Sequence, residues 1–159
     1  MPAISYHPLD EIYANELLAI WADKDVIRYT NIAEPCSLET IKEKIQIYKP
    51  FDVFVVLRDN EVIGVAGCPC IDKTTAQYGL FYQFKKSVWG QGYATMTVKW
   101  LLDFMDNKYE NITLFADVIT DNIASEKILT RFGFVCQSET ASKHKGNNVI
   151  IRNYIWKEY

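Results

Sequence analysis

The sequence predicts a mixed α/β fold of the α+β type, in which a mixed, mostly antiparallel central sheet is flanked by helices. Three features predict it: helical periodicity in the first fifty residues, short strands rich in β-branched and aromatic residues, and a strand–helix–strand–helix order in the second half. A chain of 159 residues suits one domain, which we expect to span residues 1–159.

Two helices are predicted before the first strand. Over residues 9–21 the apolar side chains recur at helical spacing, which indicates an amphipathic helix. A polar, proline-containing stretch at residues 29–36 interrupts this pattern. Ser37 then suits the N-cap of a second helix, whose apolar face runs over residues 38–48.

A β-hairpin and a further strand follow the helices. Residues 51–58 and 61–68 are rich in apolar residues, and Asp59 and Asn60 between them are typical of a hairpin turn. Residues 77–84 alternate large apolar residues with smaller or polar ones, which predicts another strand. The remaining elements in chain order are a helix at 94–105, a strand at 112–118, a helix at 123–132 and strands near 134–138 and 149–156.

Composition and charge exclude several classes of function. The formal net charge is -3 and no basic stripe is visible, which argues against nucleic acid as a partner. No apolar run approaches the ~20 residues of a membrane span. The first residues also lack the basic and apolar segments of a signal peptide. We therefore expect a cytoplasmic protein without a membrane partner.

The cysteines do not predict a metal or redox site. They are scattered along the chain, and the one close pair has only two histidines that could complete a ligand set. We interpret Cys36, Cys68, Cys70 and Cys136 as small buried apolar residues, and we expect no metal.

The most informative segment is a glycine-containing loop between a predicted strand and a predicted helix. From position 89 it reads Trp-Gly-Gln-Gly-Tyr-Ala-Thr. Glycine allows close backbone approach, and the first amides of a helix have no partner within it. Together these features predict a cluster of N–H donors at the positive end of a helix dipole, which suits a pyrophosphate.

Several interpretations of this loop compete. It can be a tight turn that binds no ligand. A dinucleotide loop would require a third glycine where the chain has Thr95, and a nucleoside-triphosphate loop would require a lysine followed by serine or threonine. A loop that holds a pyrophosphate through its backbone alone, as a coenzyme A site does, needs neither the third glycine nor the lysine.

Two motifs resemble the GNAT superfamily of N-acetyltransferases, and within it the ribosomal-protein-alanine N-acetyltransferases and their relatives. Residues 89–94 resemble the superfamily's phosphate loop, with tryptophan in the first place. The subgroup's second motif has the form N-x-x-S-x-x-x-L-x-x-x-G-F. It is matched by Asn122, Ser125, Leu129, Gly133 and Phe134. The resemblance covers nearly the whole chain and implies the fold predicted above.

The resemblance implies acetyl-coenzyme A as the co-substrate. The strand before the loop would be splayed from its neighbour, so that its free backbone groups would pair with the pantetheine arm. One of its amides would polarise the acetyl carbonyl. The loop amides would bind the pyrophosphate. Asn122 would contact the pantetheine arm, or else act only as a helix N-cap. The cofactor-binding residues implied in this way are Tyr82, Gln83, Phe84, Gly90, Gln91, Gly92, Tyr93, Ala94, Thr95 and Asn122.

The resemblance also implies two catalytic residues. Many members place a tyrosine seven residues after the asparagine to protonate the leaving thiolate, and this chain has Leu129 there. We therefore expect Ser125 to donate a hydrogen bond to the departing sulfur, unless its hydroxyl bonds only to the backbone. Asp117 is the expected general base for the amine. The alternative for Asp117 is a solvated carboxylate at a strand end.

The expected function is direct transfer of an acetyl group to a primary amine within a ternary complex. The acceptor would be a peptide or small-molecule amine, bound between residues 21–36 and the terminal hairpin. Met96 and Gly79 depart from the subgroup's pattern and leave the acceptor open. The alternatives are a non-catalytic acyl-CoA-binding sensor of the same fold and an unrelated nucleotide-binding domain. Homodimers are frequent for this fold, and the strand at 149–156 could pair across such an interface.

Overall fold

The computed structural model describes residues 2–157, which form strands and helices. The strands are β1 (Ile4–Pro8), β2 (Asp52–Arg58), β3 (Glu61–Cys68), β4 (Cys70–Asp72), β5 (Gln77–Gly79), β6 (Phe81–Phe84), β7 (Thr113–Ile119), β8 (Val135–His144) and β9 (Asn147–Lys157). The helices are α1 (Leu18–Trp21), α2 (Lys24–Ile27), α3 (Leu38–Tyr48), α4 (Tyr93–Lys108) and α5 (Ile123–Arg131).

The strands form two hydrogen-bonded sheets, and the chain passes from one to the other between β5 and β6. One has the order β1-β2-β3-β6 and the other has the order β4-β5-β7-β9-β8. Every pairing is antiparallel except that of β5 with β7, which is parallel. The predicted mixed, mostly antiparallel architecture flanked by helices is therefore confirmed.

The strand predicted at residues 77–84 divides at Leu80, and this division splits the sheet. Residues of β5 pair with β7, and the Leu80 N–H still donates to the Phe115 carbonyl at 2.9 Å. From Phe81 onward the chain pairs with β3 instead. A slot therefore opens between β6 and residues 116–119 of β7.

Two apolar cores pack against the sheets, one on a face that both sheets share and one on the other face of the sheet formed by β1, β2, β3 and β6. Helices α4 and α5 cover one face, where Val98, Leu101, Met105, Leu114 and Leu129 are buried together. The N-terminal helices cover the other face of the first sheet, where Leu17, Ile20, Trp21, Ile41 and Ile45 are buried. Burial of these side chains supplies the main favourable term in folding, and it fixes both walls of the slot.

The predicted continuous helix at residues 9–21 is wrong. Asp10 accepts a hydrogen bond from the Ile12 amide and caps a single 3₁₀ turn, Glu11–Tyr13. Turns follow this segment, and helix α1 begins only at Leu18. Leu17 is fully buried all the same, because successive turns present apolar residues to the core at nearly helical spacing. Strand β1, which precedes them, was not predicted.

The second helix and the hairpin are confirmed. The Ser37 hydroxyl accepts from the Thr40 amide at 3.2 Å and caps α3. Asp59 and Asn60 have φ values of 49° and 69°, the left-handed pair that a two-residue hairpin turn requires. Gly133 lies just beyond α5 with φ of 88°, the left-handed conformation that favours glycine at the end of a helix.

The dimer contact suggested for residues 149–156 is wrong in one respect. Strand β9 pairs with β7 on one side and with β8 on the other, so its backbone has no free edge for another chain. The edge strands of that sheet are β4 and β8.

Candidate active site

The slot between β6 and β7 opens into the large cleft of the molecule. The cleft has a volume of about 1620 Å³, well above the ~300–1,000 Å³ of ordinary small-ligand pockets. It is lined by β6, by the glycine loop and start of α4, by the end of β7 with the start of α5, and by residues 25–36. Its size fits two substrates better than one.

The glycine loop places a helix N-terminus at one end of this cleft. Gly90 and Gly92 have φ values of 75° and 85°, and Gly92 is the N-cap of α4 without any side-chain cap. Within residues 2–157, no amide from position 90 to 95 donates a hydrogen bond to a protein acceptor. These are Gly90, Gln91, Gly92, Tyr93, Ala94 and Thr95. The cluster of free donors predicted from the sequence is present.

Arg58 supports this loop and was not predicted. Its guanidinium Nη1 lies 3.4 Å from the Tyr93 hydroxyl and 3.5 Å from Gln91 Oε1. Hydrogen bonding to Tyr93 raises the pKa of Arg58, so its positive charge persists beside the free amides. The only signal in the sequence was a basic residue at the end of a strand, and pairing of β2 with β3 is what brings it to the loop.

Two hydroxyl groups meet across the slot. The Tyr82 Oη of β6 lies 2.7 Å from the Ser125 Oγ of α5. Burial raises the pKa of Tyr82, and the hydrogen bond to Ser125 opposes this rise only in part. Tyr82 therefore stays protonated at neutral pH. The sequence placed Tyr82 against the cofactor or the acceptor but not beside Ser125, because nothing in the spacing of residues 82 and 125 shows that they are neighbours.

Asn122 and Ser125 form the capped start of α5. The Asn122 Oδ1 accepts a hydrogen bond from the Ser125 amide at 3.4 Å. Asn122 therefore acts as an N-cap, while its side-chain Nδ2 has no acceptor among the described residues. The Ser125 hydroxyl bonds to Tyr82 rather than to the helix backbone. Leu129, at the position of the family's tyrosine, is buried in the core.

Asp117 lies on the other side of strand β7. Its neighbours Ala116 and Val118 are buried in the core beneath α4 and α5, so period-two alternation turns Asp117 to the opposite face. Its carboxylate is exposed and accepts a hydrogen bond from the Asn153 side chain at 2.7 Å. The structure therefore places Ser125 and Asp117 along one cleft but on opposite faces of the sheet.

The remaining wall of the cleft is built from the N-terminal helices. The Trp21 indole N–H donates to Gln83 Oε1 at 2.6 Å and joins that wall to β6. The tip of the β8–β9 hairpin closes one end, because Lys145 Nζ donates to the Ile27 carbonyl at 2.8 Å and His144 contacts the Arg28 carbonyl. Residues 21–36 and the hairpin, expected to form the acceptor pocket, therefore both border the cleft.

Neither a metal-binding cluster nor a membrane-spanning helix is found in the described part of the chain. Among residues 2–157, no group of three or more His, Cys, Asp or Glu side chains is arranged to hold a metal ion. In the same range, no helix has the length and apolar character to cross a membrane. The expectation that all four cysteines are buried is wrong for Cys136, which is exposed, and Cys70 is only half-buried. Cys36 and Cys68 are buried, and burial raises the pKa of the Cys68 thiol far above the usual value.

Known proteins of similar sequence and structure identify the family. The model of the acetyltransferase (GNAT) domain matches residues 5–135. A protein of Bacillus licheniformis, described as the uncharacterized N-acetyltransferase p20, is 24% identical over 151 residues, or 90% of this chain and 85% of that protein.

Solved structures share the fold at low sequence identity. A GNAT-family acetyltransferase from Bacillus anthracis superposes with a TM-score of 0.86 at 13% identity, covering 97% of this chain and 94% of that one. RimL, a ribosomal L7/L12 α-N-protein acetyltransferase in complex with coenzyme A, superposes with a TM-score of 0.86 at 16% identity, covering 97% and 93%.

The fold of this chain is therefore the one seen in these two acetyltransferases. Since the family model matches most of the chain, this protein belongs to the GNAT acetyltransferase family. It is an N-acetyltransferase enzyme, and the alternative of a non-catalytic acyl-CoA sensor is not favoured.

Proposed function

We propose that this enzyme transfers an acetyl group from acetyl-coenzyme A to a primary amine directly, within a ternary complex. The observation that carries the proposal is the slot between β6 and β7, which has free loop amides at one end and the Tyr82–Ser125 hydroxyl pair on its wall. An elongated thioester could lie along the slot with its pyrophosphate at the loop. Its acetyl group would then lie where the two strands separate.

The donor would be held mainly by backbone groups. The free amides at positions 90–95 suit the pyrophosphate, because the dipole of α4 and the uncapped N–H groups both favour an anion. Arg58 adds a positive charge beside them. The slot-facing edge of β6, formed by Tyr82, Gln83 and Phe84, has no partner strand in the described part of the chain. It can therefore pair with the pantetheine amides.

Ser125 and Tyr82 are the proposed partners of the leaving sulfur. As the tetrahedral intermediate collapses, the carbon–sulfur bond breaks and negative charge develops on the thiolate. The Ser125 hydroxyl would donate a hydrogen bond to that sulfur while accepting one from Tyr82. Because burial raises the pKa of Tyr82, its phenol remains a donor throughout this step.

Asp117 is the proposed general base. An alkylamine is mostly protonated at neutral pH and cannot attack until it loses a proton. The Asp117 carboxylate is exposed to the cleft, and its hydrogen bond from Asn153 fixes its orientation. Because Asp117 and Ser125 lie on opposite faces of the sheet, an amine could approach from one face while the sulfur leaves toward the other.

The acceptor would be a peptide N-terminus or a small-molecule amine. The RimL neighbour acts on the α-amino group of a ribosomal protein, which makes peptide N-termini a first set of candidates. The cleft beneath residues 25–36 is open, and this geometry can admit a short peptide as well as a free amine.

Binding and turnover test the proposal in two steps. In thermal unfolding, a ligand at a hundred times its Kd adds about 2.7 kcal/mol of stability. We expect acetyl-coenzyme A and coenzyme A to raise the Tm, and NADH and ATP to leave it unchanged. No shift with either coenzyme A compound at millimolar concentration would contradict the proposed donor site.

The second step measures acetylated product by mass spectrometry with a panel of peptides and amines. Intersecting initial-velocity lines would support a ternary complex, and parallel lines would contradict direct transfer. A Tm shift without transfer to any amine would instead favour the acyl-CoA sensor.

A further inference from the structure

A lysine without a carboxylate partner lies in the acceptor wall of the cleft. Lys44 of α3 is half-buried, and its Nζ lies 5.3 Å from the ring centroid of Trp21 and 5.4 Å from that of Tyr48. Within the described residues no Asp or Glu oxygen lies within 4.0 Å of this ammonium. All three side chains line the cleft. Among the described residues, the ammonium therefore contacts two aromatic faces and no carboxylate.

The other cations of the cleft differ from Lys44. Lys86 forms an ion pair with Asp25, and Arg28 and Lys127 are exposed to solvent. Lys145, at the tip of the β8–β9 hairpin, donates to the Ile27 carbonyl. Among the described lysines and arginines that line the cleft, Lys44 is thus the half-buried one without a carboxylate partner, and its ammonium can donate up to three hydrogen bonds.

The position of Lys44 relates it to the reacting end of the slot. Trp21, on which its ammonium rests, donates its indole N–H to Gln83 Oε1 at 2.6 Å. Gln83 belongs to β6, the strand that borders the slot. One indole ring therefore lies between the Lys44 ammonium and Gln83 at the edge of the slot.

The anionic groups near Lys44 leave this site open. Burial raises the pKa of Cys36, and the nearby charges of Lys44 and Glu34 act on it in opposite directions. Glu34 and Lys44 therefore flank Cys36, but Glu34 is exposed and too distant for an ion pair. Asp25 and Asp117 already have their own partners, Lys86 and Asn153.

We propose that Lys44 binds a carboxylate of the acceptor, so that the substrates of this enzyme are amines that also carry a carboxylate. Free amino acids and peptides with an acidic residue near the N-terminus belong to this class. The amine would enter the slot, and the carboxylate would contact the Lys44 ammonium over Trp21. Lys44 is then a specificity-determining residue that extends the proposed amine transfer, on which it depends.

Matched acceptor pairs test this assignment. One arm compares free amino acids with their carboxamides. The other arm compares peptides that carry aspartate near the N-terminus with the same peptides carrying asparagine at that position. Acetylated product is measured by mass spectrometry at fixed acetyl-coenzyme A. For the wild-type enzyme we expect kcat/KM for the carboxylate member to be higher by about tenfold or more in one arm. The arm that shows the preference identifies the source of the carboxylate.

Variants of two lysines of the same helix separate recognition from structure. Lys44→Gln should remove the preference through KM of the acceptor and leave the Kd of acetyl-coenzyme A unchanged, while Lys44→Arg should retain it. Lys42→Gln is the matched control, because Lys42 lies outside the cleft, near Glu11 at 3.9 Å. Its preference should equal that of the wild type.

Three outcomes would overturn the assignment. They are equal or better use of the neutral members by the wild type, a preference that survives Lys44→Gln, and a preference that Lys42→Gln also removes. Transfer to neutral amines without any preference would contradict the role of Lys44 alone. Transfer to no member of either arm would contradict the proposed amine transfer itself.

Discussion

Replacing Gly92 by alanine tests whether the free loop amides bind the donor. Gly92 has φ of 85°, and a Cβ added there would meet no atom within 4 Å. The added methyl group therefore costs torsional strain but causes no clash. The strain is relieved if the backbone rotates to negative φ, and this rotation would turn the amides of Gly92 and Tyr93 away from the cleft.

The magnitudes follow from these two effects. A non-glycine residue in the left-handed region costs about 1–2 kcal/mol. In a protein of this size that cost lowers the Tm by about 2–8 °C. A hydrogen bond to a charged group contributes about 1.5–3 kcal/mol. Losing one amide–phosphate contact should therefore raise the Kd of acetyl-coenzyme A by about tenfold to a hundredfold.

Gly146 offers a matched control at the tip of the β8–β9 hairpin. Its φ is 84°, and a Cβ there would also meet no atom within 4 Å. Calorimetric titration of acetyl-coenzyme A and thermal unfolding of both variants give the comparison. We expect both substitutions to lower the Tm but only Gly92→Ala to raise the Kd. A wild-type Kd for Gly92→Ala, beside a Tm loss like that of Gly146→Ala, would refute the role of the loop.

Three further predictions concern catalysis and stability. Tyr82→Phe and Ser125→Ala should each lower kcat. In the double variant the increase in activation free energy should be smaller than the sum of the two single increases, because the two hydroxyls act as one pair. Additive increases would show independent roles. In the native protein Cys136 should react with a thiol reagent at pH 8, whereas Cys68 should react only after unfolding, since burial raises its pKa; fast labelling of Cys68 would contradict this. Hydrogen bonds from a neighbouring threonine lower the pKa of Asp72, so its stabilising contribution is present above the unfolded pKa and is lost as pH falls through the folded one. Between pH 5 and 2, Asp72→Asn should therefore show a smaller loss of unfolding free energy than the wild type, and an equal loss would count against that contribution.

Features that depend on neighbouring residues could be predicted from the sequence. The Ser37 cap, the turn at Asp59 and Asn60, and the glycine loop each rest on interactions within four residues. Local chemistry is sufficient there, because a hydroxyl at an N-cap or a left-handed glycine acts within its own turn. The loop's free amides follow from the same logic, since the first turn of any helix lacks internal acceptors.

Apart from the β2–β3 hairpin and the splayed strand that the family resemblance implied, features that depend on which strands pair could not be predicted from the residues. The alternation over residues 77–84 continues through Leu80 without interruption, yet the pairing partner changes there from β7 to β3. Side-chain alternation records which face of a strand is buried and carries no information about which strand lies beside it. The contacts of Arg58 with the loop and of Tyr82 with Ser125 depend on this pairing.

The slot between β6 and β7 also explains how both catalytic candidates can serve one reaction although they lie on opposite faces of the sheet. In an intact sheet, backbone hydrogen bonds would close the space between the strands, and Asp117 and Ser125 would lie in separate compartments. The last hydrogen bond to β7 from this segment is donated by the N–H of Leu80, just after β5, to the Phe115 carbonyl. The sheet is therefore open beyond that point. Under the proposed mechanism the thioester carbon lies within this opening, where an amine on the Asp117 side and the sulfur on the Ser125 side are both within reach. Two substrates that enter from different faces need not displace each other, and this arrangement favours a ternary complex over a covalent enzyme intermediate.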